Sequence, residues 1–236
     1  MRILIINPNS NRKMEKDIQD AYSLCSFVKE NTVDIVSGEL SPTSIESYHD
    51  EAIATTEMIN NMYKYKSKYD GIIIACFGDP GLFAMREIID VPVIGIAEAS
   101  FNIASYISRK TLIVTTPMRT VQQTIDLINK YGNSKQFEIC GLLNSLDEIY
   151  CDSTMFYNTL KSFVKRKIEN TQATSVLLGC AGMSKYSKQL TSDLGIQVVN
   201  SIQVALFTIE AIIKSGLQQE KILDYAAPNA TKELNK

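Results

Sequence analysis

Cys76 closes the apolar run Ile72-Ile73-Ile74-Ala75, and Cys180 closes Val176-Leu177-Leu178-Gly179; a glycine, Gly78 or Gly182, follows each two residues later. The match continues, because Pro92-Val93-Ile94-Gly95-Ile96 begins sixteen residues beyond Cys76 and Ile196-Gln197-Val198-Val199-Asn200 sixteen beyond Cys180. A cysteine where a strand turns into a helix lies near the positive end of that helix. This favours thiolate and is expected to lower the thiol pKa from its unperturbed value of about 8.5. Such a thiol is a base or a nucleophile. A single intracellular cysteine is more often a small buried hydrophobe, but two at equivalent strand ends suggest a two-thiol active site. Cys25 lies in a helical pattern, Cys140 in an apolar run and Cys151 just before Ser153, so these three read as structural.

The elements that must position the pair are legible as alternation. Runs rich in Ile, Val and Leu at 2–6, 33–36, 71–75, 92–96, 111–115, 137–141, 174–178 and 196–199 read as parallel strands covered on both faces. Amphipathic stretches at 11–29, 46–65, 81–89, 98–108, 118–131, 153–169, 184–193, 201–215 and 218–224 read as helices, with Ser10 and Asn11 opening the first and Ser153 the sixth. The alternation predicts an α/β fold with parallel sheets. Ile3-Leu4-Ile5-Ile6-Asn7-Pro8 aligns with Leu112-Ile113-Val114-Thr115-Thr116-Pro117, and the cysteines follow these prolines by 68 and 63 residues. Two similar halves are inferred, each a mostly parallel sheet flanked by helices. Their strand ends face one another across a cleft, since ligands of open α/β sheets bind beyond the carboxyl ends of the strands. The last dozen residues, Ala226 to Lys236, are expected to fray.

Around the expected cleft, Phe77-Gly78-Asp79-Pro80-Gly81 lets backbone amides approach a ligand, and Gly182 gives the same openness after Cys180. Asp79 is a ligand acceptor or, more in keeping with its position, the cap of the next helix. Asn9 and Ser10 after the first strand, and Thr115 and Thr116 after the fifth, are candidates to hydrogen-bond a ligand's amide groups; capping explains Ser10 and Thr116 equally well.

Composition narrows the rest. A chain of 236 residues, 45% of them apolar, buries a full core, and its 24 basic and 26 acidic residues leave no bulk footprint for nucleic acid or an anionic membrane. Met1 leads into an apolar run too short to span a bilayer, with no cleavage site behind it, so a cytoplasmic protein is expected. Five cysteines without a C-x-x-C pair, and one histidine, fit neither a disulfide framework nor a four-ligand zinc site. Nucleotide-binding glycine loops and H-E-x-x-H are absent. His49, in a polar run opening a helix, reads as a solvated surface residue. Tyr63, Tyr65 and Tyr69, interleaved with lysines, read as a helix end and not as a nucleic-acid patch. A small ligand is the expected partner, with no nucleic acid and no membrane, and the protein is expected to be a homo-oligomer.

With these residues in view, the chain resembles the hydantoin and allantoin racemases of the aspartate/glutamate racemase superfamily. The resemblance rests on Ile6-Asn7-Pro8-Asn9-Ser10, Ser44-Ile45-Glu46-Ser47-Tyr48-His49-Asp50-Glu51-Ala52, Ala75-Cys76-Phe77-Gly78-Asp79-Pro80-Gly81-Leu82, Ala84-Met85-Arg86-Glu87, Pro92-Val93-Ile94-Gly95-Ile96-Ala97-Glu98-Ala99, Thr115-Thr116 and Leu178-Gly179-Cys180-Ala181-Gly182-Met183. It implies two pseudo-symmetric halves with the site between them, no metal and no cofactor. It also implies C-terminal helices packing back on the first half, so that 1–97 plus 201–236 form one unit and 98–200 the other. It makes Cys76 and Cys180 the catalytic pair. The substrate-binding candidates it leaves are Asn9, Ser10, Glu46, Phe77, Gly78, Asp79, Thr115, Thr116, Ala181 and Gly182. Amino-acid racemases of the superfamily carry Cys-Asn-Thr and Gly-Cys-Thr-His where this chain has Cys76-Phe77-Gly78-Asp79 and Gly179-Cys180-Ala181-Gly182, so a neutral cyclic ureide is expected in place of a free amino acid. Where the family commonly has an aspartate near the last strand end, this chain has Asn200.

The expected reaction is proton removal from the ureide stereocentre by one thiolate and return by the opposite thiol, the enolate supported by amides near Gly78 and Gly182. Rival readings are another superfamily enzyme, of the maleate isomerase, arylmalonate decarboxylase or aspartate/glutamate racemase kind, and a non-catalytic small-molecule binding protein.

Overall fold

The computed structural model describes residues 1–23, 31–65, 68–132, 134–143 and 152–228. Cys25, Cys151, the end of the first expected helix, Lys66 and the tail beyond 228 lie outside the described residues.

Two four-stranded parallel sheets form the scaffold, β1 (Arg2–Asn7) to β4 in the order β2-β1-β3-β4 and β5 to β8 in the order β6-β5-β7-β8. In the first, β2 is Thr32–Ser37, β3 Gly71–Ile74 and β4 Val93–Gly95; in the second, β5 is Thr111–Thr115, β6 Phe137–Gly141, β7 Ser175–Gly179 and β8 Gln197–Val199. The helices are α1 (Arg12–Ser23), α2 (Tyr48–Asn61), α3 (Leu82–Ile88), α4 (Ile96–Ile107), α5 (Val121–Lys130), α6 (Ser153–Thr171), α7 (Ser187–Leu194) and α8 (Ser201–Lys214). Short 3₁₀ turns occupy Met118–Thr120 and Ala181–Tyr186, before α5 and α7. None of the described helices is long and apolar enough to cross a membrane.

The repeated strand order follows from continuous apolar strands that need cover on both faces. Ile3 and Ile5 of β1 face α1 and α8, while Leu4 and Ile6 face Met58, Met62, Leu82 and Met85 of the α2–α3 side. Each of these side chains is at most 4% exposed, and burying such a residue stabilises by about 1.5–3 kcal/mol relative to solvent. Leu112, Val114, Val176 and Leu178 of the second sheet join the same core as Ile3, Ile5 and Ile73, so one apolar body runs through both sheets. In each sheet the chain leaves one central strand to one side and the other central strand to the opposite side. The loops therefore diverge beyond β1 and β3, and beyond β5 and β7, which is where open α/β sheets leave a crevice. α8 packs on β3, β4 and α4, and a Cβ at Gly71 of β3 would come within 2.7 Å of Ile209.

Several local expectations are corrected. Of the two residues expected to open α1, Asn11 caps it by accepting from the N–H groups of Lys13 and Met14, and Ser10 does not. Asp152, one residue before Ser153, caps α6. The stretch 218–224 is not helical. Gly216, with φ +73°, turns the chain out of α8, and the Glu220 carboxylate takes the Leu223 and Tyr225 N–H groups that a helix would use otherwise. Asn200 caps α8 through Ile202 and Gln203 and donates to Ser184 and Ser187; it does not line the cavity described next.

Candidate functional site

A cavity of about 600 Å³ opens beyond the carboxyl ends of the central strands, and both Cys76 and Cys180 line it. Cys76 follows β3 and Cys180 follows β7, the equivalent strand of the other sheet. The cavity also takes Asn9 from beyond β1 and Thr115 and Thr116 from the end of β5, so all four central strands contribute.

The thiols differ from expectation in their ionisation. Cys76 does not sit at a helix N-terminus: the chain makes a tight turn, Asp79 N–H to Cys76 O at 3.0 Å, and α3 begins only at Leu82. Burial pushes the Cys76 thiol up to about 12; the Gly78 N–H favours its thiolate, while Glu51, Cys180 and Asp79 oppose it. Cys180 opens the 3₁₀ turn Ala181–Tyr186, and burial raises it to about 11 against the N–H groups of Gly182 and Met183. Desolvation outweighs the backbone donors at both positions. The backbone of Gly78 and Gly182 thus favours thiolate at the sulfur that precedes each of them.

Asp79 lines the cavity but its carboxylate is held by the fold. It accepts from the N–H groups of Ala97 at 3.0 Å and Glu98 at 2.8 Å, and from the Tyr131 hydroxyl at 2.8 Å. It thus caps α4 and not α3, the next helix. Burial raises its pKa to about 7 against those three donors, and Glu98 adds to the rise. Gly95 makes this reach possible, since a Cβ there would lie 2.1 Å from the Asp79 carboxyl carbon. Gly95→Ala is therefore expected to expel the cap and cost about 2 kcal/mol or more, read as a lower urea midpoint with an unchanged slope.

The remaining expected residues divide. Phe77, Gly78, Thr115, Thr116 and Ala181 line the cavity, whereas Ser10, Glu46 and Gly182 do not. Phe77 also packs edge-on against Phe101, ring centroids 5.4 Å apart, and is 6% exposed. The Asn9 Oδ1 accepts from the Asn7 side chain and the Asn11 N–H, so its NH2 is the group with which it would meet a ligand. Thr115 bonds Thr120 side chain to side chain at 2.6 Å. Ser10 gives its N–H to Pro42, and the Glu46 carboxylate accepts from Ser44. His49 is exposed.

Two helices complete the walls with residues that strand-end motifs do not reveal. α2 contributes Tyr48, Glu51, Ala52 and Thr55, and α5 contributes Gln123, Thr124, Leu127 and Lys130. Both sets repeat at three- and four-residue spacing, and Tyr48, Glu51 and Ala52 also lie in one of the segments that carry the resemblance. Glu51 comes so close to the Cys76 loop that a Cβ on Gly78 would lie 2.6 Å from its Oε1. Burial raises the Glu51 carboxyl to about 6, moderated by Lys130. With its side-chain amide turned to the orientation that satisfies both ends, Gln123 joins the two sides by donating to Glu46 O at 3.1 Å and accepting from Tyr48 N–H at 3.2 Å. Among the described residues no group of three or more His, Cys, Asp and Glu is gathered as metal ligands would be.

The sequence matches the model of the Asp/Glu/Hydantoin racemase family over residues 3–208. It is 34% identical to a hydantoin racemase of Pseudomonas sp. (strain NS671), covering 97% of this chain and 92% of that protein. It is 32% identical to a hydantoin racemase of Paenarthrobacter aurescens, covering 97% and 98%. The structure superposes on allantoin racemase from Klebsiella pneumoniae with a TM-score of 0.91 at 29% identity, covering 97% of this chain and 94% of that one. With two parallel sheets in the same strand order around a shared cleft, the chain belongs to the Asp/Glu/Hydantoin racemase family and is a racemase.

Proposed function

We propose that the chain inverts the stereocentre of a cyclic ureide, allantoin or a 5-substituted hydantoin, by proton transfer between Cys76 and Cys180. The observation that carries this reading is the arrival of both thiols in one cavity from equivalent strands of two sheets. One thiolate takes the proton from the ring carbon, its electrons pass into the neighbouring carbonyl as an enolate, and the opposite thiol delivers a proton to the other face. No bond to sulfur other than S–H is made or broken. For the other enantiomer the roles exchange.

The charge around the cavity supports a neutral substrate. The described charged residues lining it are Glu51, Asp79, Asp126 and Lys130, which leaves one cation for the carboxylates of a free acidic amino acid. A ureide ring instead needs N–H acceptors and carbonyl donors. The Asn9 NH2 and the hydroxyls of Thr115 and Thr116 are the groups proposed to meet it.

Circular dichroism of single-enantiomer allantoin and of a 5-alkyl hydantoin tests the reading: the signal decays to zero faster than the spontaneous rate on at least one of them. Decay of neither would sink it. A pH profile tests the base. The raised thiols stay mostly protonated below about pH 10, so thiolate rises tenfold per pH unit. The expected log kcat/KM climbs with a slope near one from about pH 7 to 9 without a plateau. A plateau near neutrality would mean either a base other than these thiols or a thiolate stabilised beyond what its burial allows.

A further inference from the structure

The two thiols are equivalent by topology but not by surroundings. Cys180 lies at the start of a 3₁₀ turn, where its carbonyl accepts the Met183 N–H at 3.1 Å and the backbone of Gly182 and Met183 favours its thiolate. The carboxylates that oppose its ionisation, Asp17 and Glu46, are both engaged elsewhere: Asp17 pairs with Lys185 at 3.1 Å, and Glu46 accepts the Ser44 hydroxyl at 2.6 Å. At Cys76 the Gly78 backbone favours the thiolate, while the charges of Glu51 and Asp79 oppose it. Asp79 is committed to Ala97, Glu98 and Tyr131. Glu51 reaches in from α2 and rests its Oε1 against Gly78, the residue whose amide serves Cys76. Lys130, from α5, is the cation that acts on Glu51.

We propose that Glu51 is a positioning residue for the catalytic proton: its charge holds that proton on Cys76 and makes Cys180 the thiol that ionises first in the resting enzyme. The inference rests on the two-thiol reading and adds to it an order of events. In the resting form Cys180 takes the proton of whichever enantiomer turns its C–H toward the second sheet, and Cys76 delivers the new one. The other enantiomer must wait for the proton to move between the sulfurs. Burial raises both thiols, whereas Glu51 is among the charges that raise Cys76 and not among those that raise Cys180.

Enantiomers have equal free energy, so kcat/KM is the same in both directions whatever the resting form, and the thiols must be read directly. Maleimide is a neutral five-membered imide that reacts with thiolate, and peptide mass spectrometry of the full-length protein gives the alkylation rate of each cysteine separately. Between about pH 5 and pH 8 a thiol with a distant pKa reacts tenfold faster per pH unit. For wild-type Cys76 this line is expected to flatten near pH 6, where Glu51 ionises, and to lose about three- to tenfold there. Glu51→Gln removes the flattening and raises the Cys76 rate at pH 8 by the same factor, while the Cys180 rate changes less than twofold. Glu51→Asp retains the bend, which separates charge from shape. A straight wild-type line, a bend that survives in Glu51→Gln, or equal changes at both thiols would overturn the proposal. Labelling needs no turnover, so absence of ureide racemisation would count against the proposed function without deciding this test.

Discussion

Cys76→Ser and Cys180→Ser are each expected to lower kcat/KM for ureide racemisation by about 10³-fold or more. A serine hydroxyl preserves the shape of the site but does not ionise under these conditions, and one positioned acid or base contributes about 10²–10⁴-fold. Both losses should be of similar size, because each turnover uses one sulfur as base and the other as acid whichever enantiomer enters. The decay of circular dichroism from single-enantiomer substrate, corrected for the spontaneous rate, is the measurement. In D2O the surviving thiol of each variant is expected to exchange the ring proton slowly with retention, Cys180 acting on one enantiomer and Cys76 on the other. Near wild-type racemisation by either variant would end the two-thiol account.

The largest expected loss of stability lies outside the cavity. Arg86 is 8% exposed and forms a two-pronged pair with Glu98, Nη1 to Oε1 at 3.1 Å and Nη2 to Oε2 at 2.5 Å. It also donates to Val93 O and lies over the rings of Phe83 and Tyr225. Arg86→Met leaves Glu98 half-desolvated and uncompensated, and removal of one partner of such a pair costs about 3–5 kcal/mol. Glu98→Gln, which keeps one hydrogen-bonding oxygen, should cost less. Because the Glu98 N–H is one of the donors to Asp79, and Asp79 closes the loop carrying Cys76, the same variants are expected to reduce kcat more than they change KM. Urea denaturation gives the first quantity and steady-state kinetics the second. A loss under about 1 kcal/mol for Arg86→Met would show that the pair is merely surface-like.

The residues also show how far sequence reasoning reaches. All eight strands lie within about two residues of their expected limits, because a strand covered on both faces must be apolar along its whole length and that pattern is local. The pairing of Cys76 with Cys180 was legible for the same reason, since equal positions after equal strands arrive at one rim. Helix ends were less legible. Asn11 for Ser10 and Asp152 for Ser153 are choices between adjacent capping residues with similar propensity, decided by the angle at which each chain enters its helix.

Composition, strand periodicity and the two cysteine segments were thus enough to determine the α/β architecture and the residues around which the cavity is built. Only the tertiary structure decided what surrounds each thiol. Asp79 caps a helix that begins seventeen residues later in the chain, Tyr131 reaches it from α5, and Glu51 reaches the Cys76 loop from α2. Local sequence suggested lowered thiol pKa values from helix ends, whereas the folded chain raises both. Desolvation depends on every segment that covers a group, and Coulomb interaction depends on distance through space. Neither quantity exists until the chain has closed around the sulfur atoms.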